Sequence, residues 1–542
     1  MKNQDNKPLI SIIIPAYNAA KCLSYSLGSA LKQQFDLLEI VVVDDASTDD
    51  TRAVAQKLAH DDKRVKIQSH TSNQGPAMAR NTGIEQAHGD YLLFLDADDA
   101  LAPDTCVILA EELAKSSADI LHFAMYLEVQ DSLSKPAAEH MQRYFTPPNQ
   151  SLAQWEIIES AFLYYEHNWN LAGKLIRTSL CRQALEMMPQ TSVLLGEDLL
   201  FYFFVALNTR LYRGVPQRRL YLYRYGAGGS NREKVSLDQF EKRWLTTIQV
   251  PEHIAQEMQN REAPASYKRV LASIRNHLLG ETMDAIASLL QPKDKPLATM
   301  KVLQAWRASE VVSYLCRAYW NNPCGARELF SFDSDGGFKH NGYEREIYYS
   351  VNYDHNQAMR CLSGSSNESG TPVATFLTEE SMPYDACFDS NIEVASLAPR
   401  LPCVSPAAYK ERALTIERLV QELQIGKVVF LEYYDTLYFW DAVLWALLGV
   451  AVFDAEGNDL IPSLALDEAL REAIAKGATG EELVTLANSD FMREHLGWEY
   501  ATKSYCHQAQ ALAHVQNASS LTQKVKRRLA KPYKLVRRKR RP

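Results

Sequence analysis

Long apolar runs are missing from this 542-residue chain, and their absence constrains it first. Its longest strongly apolar stretch, Ala442 to Phe453, is well short of the roughly 18 to 20 residues a membrane-spanning helix needs. Met1 to Pro8 is polar and the run Leu9–Ile14 stops at Pro15, so no secretory signal is read at the start. Paired cysteine motifs are missing too. The nine cysteines are odd in number, scattered from Cys22 to Cys506, and form no CxxC or His-rich zinc spacing. That pattern argues against a disulfide scaffold and for thiols in a reducing compartment. No GxGxxG follows any strand-like run, which disfavours a dinucleotide oxidoreductase. There is no internal repeat or long low-complexity tract. The expectation is a cytoplasmic protein.

What is present is ordinary globular composition, 46% hydrophobic and 23% charged, in a chain long enough for two or three cores. The net charge of −8 hides an asymmetry, because Lys524 to Pro542 carries eleven Lys or Arg and no acid. Such a tail is drawn to anionic lipid at about 1 kcal/mol per basic residue near the surface. A solvated disordered end and a nucleic-acid arm are the alternatives. The expectation is a peripheral position on the inner face of the cell membrane, with no nucleic-acid partner.

Residues 9 to 126 alternate β-branched runs with helical patterns, as in an α/β domain with a mostly parallel sheet. Strands are expected at Leu9–Ile14, Glu39–Asp44, Val65–Ser69, Tyr91–Leu95 and Ile120–Tyr126. Helices are expected near Ala19–Gln33, Asp49–His60, Gly75–Ala87 and Pro103–Ser116. The segment Gln130 to Gln150, with three prolines and no clear period, reads as a loop. The resulting domains are 1–236, a helical connector at 237–328, a smaller α/β domain at 329–520 and a basic tail at 521–542. In that smaller domain a helix at Ala407–Leu423, a strand at Lys427–Leu431, a helix at Leu437–Leu448 and a strand at Val450–Asp454 are expected. They faintly resemble half of a Rossmann-like glycosyltransferase, without a catalytic motif.

In open parallel sheets, ligands sit beyond the carboxyl ends of the strands. That edge carries Tyr17 after Pro15, Asp44 and Asp45, and the run Asp96-Ala97-Asp98-Asp99. An ionised Asp accepts a pyrimidine ring N–H, although acids followed by Ser47 and Thr48 also serve as helix caps. The aspartates after Tyr91–Leu95 end a strand apolar enough to be buried on both faces. Crowding carboxylates there costs repulsion and desolvation unless a cation neutralises them. Oxygen ligands of this kind suit Mg²⁺ or Mn²⁺.

Four segments, Ile12–Asn18, Val41–Asp49, Asn73–Asn81 and Gly89–Asp99, resemble in order and spacing the family 2 inverting glycosyltransferases of the GT-A fold. The resemblance implies that Tyr17 and Asp45, with Asp44, contact the nucleobase, and that Arg80 lies near the nucleotide. It implies that Asp96 faces the ribose, with Pro15 and Ala97 in the same nucleotide-sugar set, and that Asp98 is the main metal ligand for Mn²⁺ or Mg²⁺. Downstream, Gly196-Glu197-Asp198 resembles the family's acidic pair at a helix start, which implies Asp198 as catalytic base and Glu197 as its acceptor-side neighbour. Helix-start acids favoured by the macrodipole are the plainer reading. Many relatives carry a His after the stretch matching Tyr221–Arg224; here Tyr225 to Arg232 is glycine-rich, with Arg232 as a candidate phosphate contact.

The function expected is transfer of a hexose or N-acetylhexosamine from a UDP-sugar to a hydroxyl of a surface glycan or lipid-linked acceptor. The alternatives are a membrane-surface assembly protein with a weak transferase head, and a sugar-phosphate nucleotidyltransferase. The second would want a basic, Gly-rich loop where Ala16-Tyr17-Asn18-Ala19-Ala20 stands.

Overall fold

The structure, a computed structural model, describes residues 7–60, 62–129, 133–189, 195–226, 234–319, 329–330, 341–350, 374–378, 392–396, 409–431, 436–455, 457 and 459–460. Two compact units emerge. One comprises residues 1–234 with 238–282, the other 235–237 with 283–542. The helices expected as a connector of their own are thus divided near Thr282.

The first unit runs β1 (Ile10–Ala16), α1 (Leu23–Leu31), β2 (Leu38–Asp44), α2 (Thr51–Ala59), β3 (Val65–Ser69), α3 (Pro76–Gln86), β4 (Tyr91–Phe94), β5 (Ala100–Leu101), α4 (Thr105–Ser116) and β6 (Ile120–Val129). It continues with α5 (Lys135–Tyr144), β7 (Ser151–Leu152), α6 (Trp155–Phe162), β8 (Lys174–Arg177), α7 (Thr178–Glu186), α8 (Glu197–Asn208), β9 (Tyr212–Tyr225), α9 (Leu237–Arg243), α10 (Gln249–Met258) and α11 (Tyr267–Leu289). Its sheet has the order β3-β2-β1-β4-β8-β6-β9-β5, with β7 on β9. The pairs β1–β2, β2–β3, β1–β4 and β6–β9 are parallel, whereas β8 runs antiparallel to β4 and β6.

The period of two in β2 explains how both faces are filled. Ile40 and Val42 join the main core, while Val41 and Val43 turn to the opposite face and meet Ala79 of α3. Helix α3 packs close on the sheet because of Gly83. A Cβ there would lie 2.4 Å from Ile13 Cγ2, so only glycine admits this approach. Arg80, one turn earlier, is thereby set just above the strand ends.

One expectation fails in this unit. Residues 130–150 are not all loop, because α5 occupies Lys135–Tyr144. The Ser134 side chain accepts from Ala137 N–H, and Pro136 stands in the first turn. Cap and proline together start a helix that lacks a buried face.

The second unit holds α12 (Lys295–Ala305), α13 (Ala308–Tyr319), β10 (Arg345–Ser350), β11 (Ala374–Thr378), β12 (Ile392–Ser396), α14 (Tyr409–Leu423), β13 (Ile425–Phe430), α15 (Thr436–Leu447) and β14 (Ala451–Asp454). Its sheet, β12-β11-β10-β13-β14, is parallel throughout, an order in which the chain reverses direction of winding between β10 and β13. The basic segment 521–542 and Arg232 lie outside the described residues. Among the described residues no helix is long and apolar enough to cross a membrane.

Candidate active site

Because β1, β2 and β4 are parallel neighbours, their carboxyl ends share one edge, and a cleft of about 560 Å³ opens there. Pro15, Tyr17, Asp45, Arg80, Asp96, Ala97 and Asp98 all line it, with Lys21 and Asn73. The Tyr17 side chain is left 49% exposed, its ring free to cover a flat ligand. Asn18 takes a left-handed φ of 48°, and its backbone N–H donates to Ser47 Oγ at 3.0 Å. Its side chain accepts from Thr48 N–H at 2.8 Å. The loops after β1 and β2 are thus tied together.

The two aspartates of β2 differ. Asp44 is buried, accepts from Ser47 N–H at 3.2 Å and is not among the cleft-lining residues. Asp45 lies 2.6 Å from His70 Nδ1 and accepts from the backbone N–H groups of Gln74 and Gly75 at 2.9 and 2.7 Å. Its carboxylate therefore braces the loop that leads into α3. Gly75 needs its freedom there, since its φ is 89°.

The acidic turn after β4 separates three environments. Asp99 is buried and accepts from Tyr221 O–H and Arg224 N–H, both at 2.8 Å. Burial, then the neighbouring Asp96, push its carboxyl up to about 8 despite those bonds. Asp98 is half-buried, and burial followed by Asp96 raises its carboxyl as well. Asp96 is 37% exposed at its side chain and faces Arg80. The turn is thus an electrostatic deficit: three carboxylates with too little positive charge among them.

Arg80 links this turn to the helix start at α8. Its Nη1 donates to Asp198 Oδ1 at 2.8 Å and its Nη2 to Asp96 Oδ1 at 3.2 Å. Burial opposes the guanidinium charge, but Asp198, Asp96 and Glu197 outweigh it and hold Arg80 protonated. Glu197 and Asp198 occupy the first turn of α8, entered through Gly196 at φ 84°. Burial, then Asp198, push Glu197 up to about 7. Burial also raises Asp198, with Arg80 pulling the other way. A carboxylate kept basic yet paired to a cation is suited to taking a proton at neutral pH.

Among the described residues no group of three or more His, Cys, Asp or Glu side chains is arranged to hold a metal ion. A cation at Asp98 would therefore need ligands beyond the described side chains. Sequence reasoning passed over four residues that the fold brings in. His70 bridges Asp45 to Thr82 Oγ1 at 2.9 Å, and Tyr221 donates to Asp99. Arg224 donates to the Asp98 carbonyl at 3.2 Å and lies 4.1 Å from the Tyr25 ring. Lys174 is wholly buried near Asp198. His70, Tyr221 and Arg224 act through partners far away in sequence, so local pattern carries no signal for them.

The strand order, the cleft at the carboxyl edge and the acidic turn define a GT-A nucleotide-diphospho-sugar transferase domain. Residues 11–174 match the family model Glycosyl transferase family 2, and this N-terminal domain belongs to that family. The chain is 48% identical over 99 residues, 18% of its own length and 40% of the relative's, to an uncharacterized glycosyltransferase of Haemophilus influenzae. It is 36% identical over 129 residues, 24% of its length and 41% of the relative's, to the GalNAc(5)-diNAcBac-PP-undecaprenol beta-1,3-glucosyltransferase of Campylobacter jejuni. It thus spans about two fifths of the length of these curated relatives. The crystal structure of S. aureus TarS 1-349 aligns over 59% of this chain and 86% of that one, at 22% identity and a TM-score of 0.43. The fold assignment stands on the strand order and the family match, not on that alignment.

Proposed function

We propose that this protein is an inverting, metal-dependent glycosyltransferase that moves a hexose or N-acetylhexosamine from a UDP-sugar to a hydroxyl of a surface glycan or lipid-linked acceptor. The observation that carries the reading is Arg80, whose guanidinium joins Asp96 at the cleft to Asp198 at the start of α8. A donor-side acid and a candidate base are thereby held by one side chain.

Inversion is a single in-line displacement. In this reading Tyr17 and the loop braced by Asp45 hold the nucleobase, with Pro15 and Ala97 as walls, and Asp96 reaches the ribose. Asp198 takes the proton from the acceptor hydroxyl as that oxygen bonds to the anomeric carbon. The bond to the diphosphate oxygen breaks on the opposite side. Glu197 orients the acceptor or the helix start. Asp98, with Asp96 beside it, would hold Mn²⁺ or Mg²⁺; burial and the charge of Asp96 raise its carboxyl, and a divalent ion would offset both. A divalent ion there would supply charge neutralisation for the leaving diphosphate.

The activity of the C. jejuni relative, glucosyl transfer to an undecaprenol-diphosphate glycan, supports a lipid-linked acceptor for this chain. The basic tail, Lys524 to Pro542, would hold the enzyme at an anionic membrane surface on the cytoplasmic side. The test is UDP release from a panel of UDP-sugars with Mn²⁺, measured for the native chain and for Asp98→Asn and Asp198→Asn. Release by the native chain that both variants lose is expected; near-native rates in either variant overturn the site.

A further inference from the structure

A lysine at the start of β8, Lys174, is wholly buried against the helix that the candidate base opens. Lys174 Nζ lies 5.0 Å from the centroid of Tyr202, four residues after Asp198 on α8. It donates to Asn168 Oδ1 at 2.8 Å and to the Asn170 carbonyl at 2.5 Å. Burying an amine is costly, and here both bonds serve to fix one turn, Asn168-Trp169-Asn170.

That turn supports an aromatic shelf. Asn168 Nδ2 donates to the Tyr144 carbonyl at 2.9 Å, and Tyr144 O–H points to Asn170 Oδ1 at 3.4 Å. Trp169 stacks on Phe162 with ring centroids 5.7 Å apart, and Tyr165 and His277 meet it edge-on at 6.2 and 4.7 Å. Tyr165 holds a left-handed φ of 54°, which is costly for an aromatic residue. Its hydroxyl lies 2.8 Å from Ser273 Oγ. Tyr144 and Tyr165 nevertheless stay 40% and 51% exposed. Both phenols are tethered while part of each residue stays exposed.

Helix α11 closes the far side. Ser273, His277 and Glu281 fall four residues apart on one face of it, with His277 Nε2 3.3 Å from a Glu281 carboxylate oxygen. The same helix packs on the glycine that precedes the acidic pair, since Leu278 Cδ2 would lie 3.3 Å from a Cβ at Gly196. Desolvation raises the Tyr144 phenol, and the charges of Glu281 and Asp198 raise it further.

We propose that Tyr144 and Tyr165, with Asn170, His277 and Glu281, form the subsite for a neutral saccharide ring of the acceptor. This rests on the glycosyl-transfer reading. The C–H face of a pyranose lies on the tethered phenol rings, and its hydroxyls bond to the Asn170 amide and the Glu281 carboxylate. Tyr144 feels the charge of Asp198, and none of the five residues lines the cleft assigned to the donor, as befits a group that presents an attacking hydroxyl from the other side. The Glu281 carboxylate, and the lack of a Lys or Arg among these five residues, favour uncharged sugar over a phosphate-bearing polymer.

The experiment is saturation-transfer NMR on the full chain with the methyl β-glycosides of glucose, galactose and N-acetylglucosamine as probes. Native protein saturates the ring C–H protons of at least one glycoside. Tyr144→Ala and Tyr165→Ala each reduce that signal at least fivefold without moving the melting temperature by more than a few degrees, and Tyr144→Phe restores most of it. No saturation by native protein, or signal that survives both alanine variants, overturns the subsite. A separate arm measures thermal stabilisation by UDP with Mn²⁺. Its failure in native protein sinks the transferase reading while leaving the saccharide result standing.

Discussion

The two sheets of this protein treat buried charge in opposite ways. In the second, Arg412 of α14 and Asp441 of α15 form a bidentate pair, with side chains only 9% and 1% exposed. The Tyr409 hydroxyl donates to the same carboxylate, and the Arg412 guanidinium donates to the Tyr349 hydroxyl. In the first, Asp96, Asp98 and Asp99 crowd one turn with Arg80 and Arg224 as nearby cations, and two of the three carboxyls are raised. Both are α/β units with carboxyl-edge loops. A satisfied charge contributes to folding, whereas an unsatisfied one beside a cleft is capacity for a ligand. The fold alone does not distinguish the two.

That contrast is open to mutation. The largest effect is expected at the unsatisfied site, where Asp198→Asn lowers turnover about a hundred- to ten-thousand-fold while the melting temperature holds; Asp98→Asn behaves similarly and raises the Mn²⁺ needed for half activity. Rates and thermal melts of the same preparations decide this. At the satisfied pair the reverse holds. Asp441→Ala removes the carboxylate from a buried guanidinium and lowers unfolding stability by about 3–5 kcal/mol, read by urea titration, with turnover per folded molecule unchanged.

Arg80→Met has an intermediate effect. Arg80 lowers the Asp198 carboxyl, so removing it lets that carboxyl rise. The base must be ionised to act, so the acidic limb of the kcat–pH profile moves to higher pH. A limb that stays in place would separate Asp198 from the titration. The smallest effect on turnover is that of deleting Lys524 to Pro542. Activity in solution persists, whereas cosedimentation with anionic vesicles falls and becomes insensitive to salt. Vesicle binding equal to that of the full chain would remove the tail from the account.

Much of the first unit was legible because its strands are buried on both faces. β1, β2 and β4 are mostly apolar and buried, with acids at the ends of β2 and β4, and such runs announce themselves without context. The helix α5 was not, since its signal is one capping serine and one proline with no buried stripe. β10, β11 and β12 were missed for a related reason: strands of five or six residues in a Gly-, Ser- and Asn-rich region carry too few periods to stand out. At the site, the residues at the strand ends were readable one by one. Their partners were not, because His70 finds Asp45 across 25 positions and Arg80 finds Asp198 across 118.

The sequence by itself determined the order of β1 to β4, α1 to α4 and β6, the acids at the carboxyl ends of β2 and β4, and the acidic pair that opens α8. Those follow from local periodicity and from charges that no short-range partner neutralises. Only the tertiary structure decided that Asp45 is engaged by His70 and the loop at Gly75, that Asp99 is clamped by Tyr221 and Arg224, and that one arginine joins the cleft to the candidate base. Pairing energy depends on distance through space, and folding sets that distance by packing Gly83 against Ile13 and aligning β1, β2 and β4 on one edge.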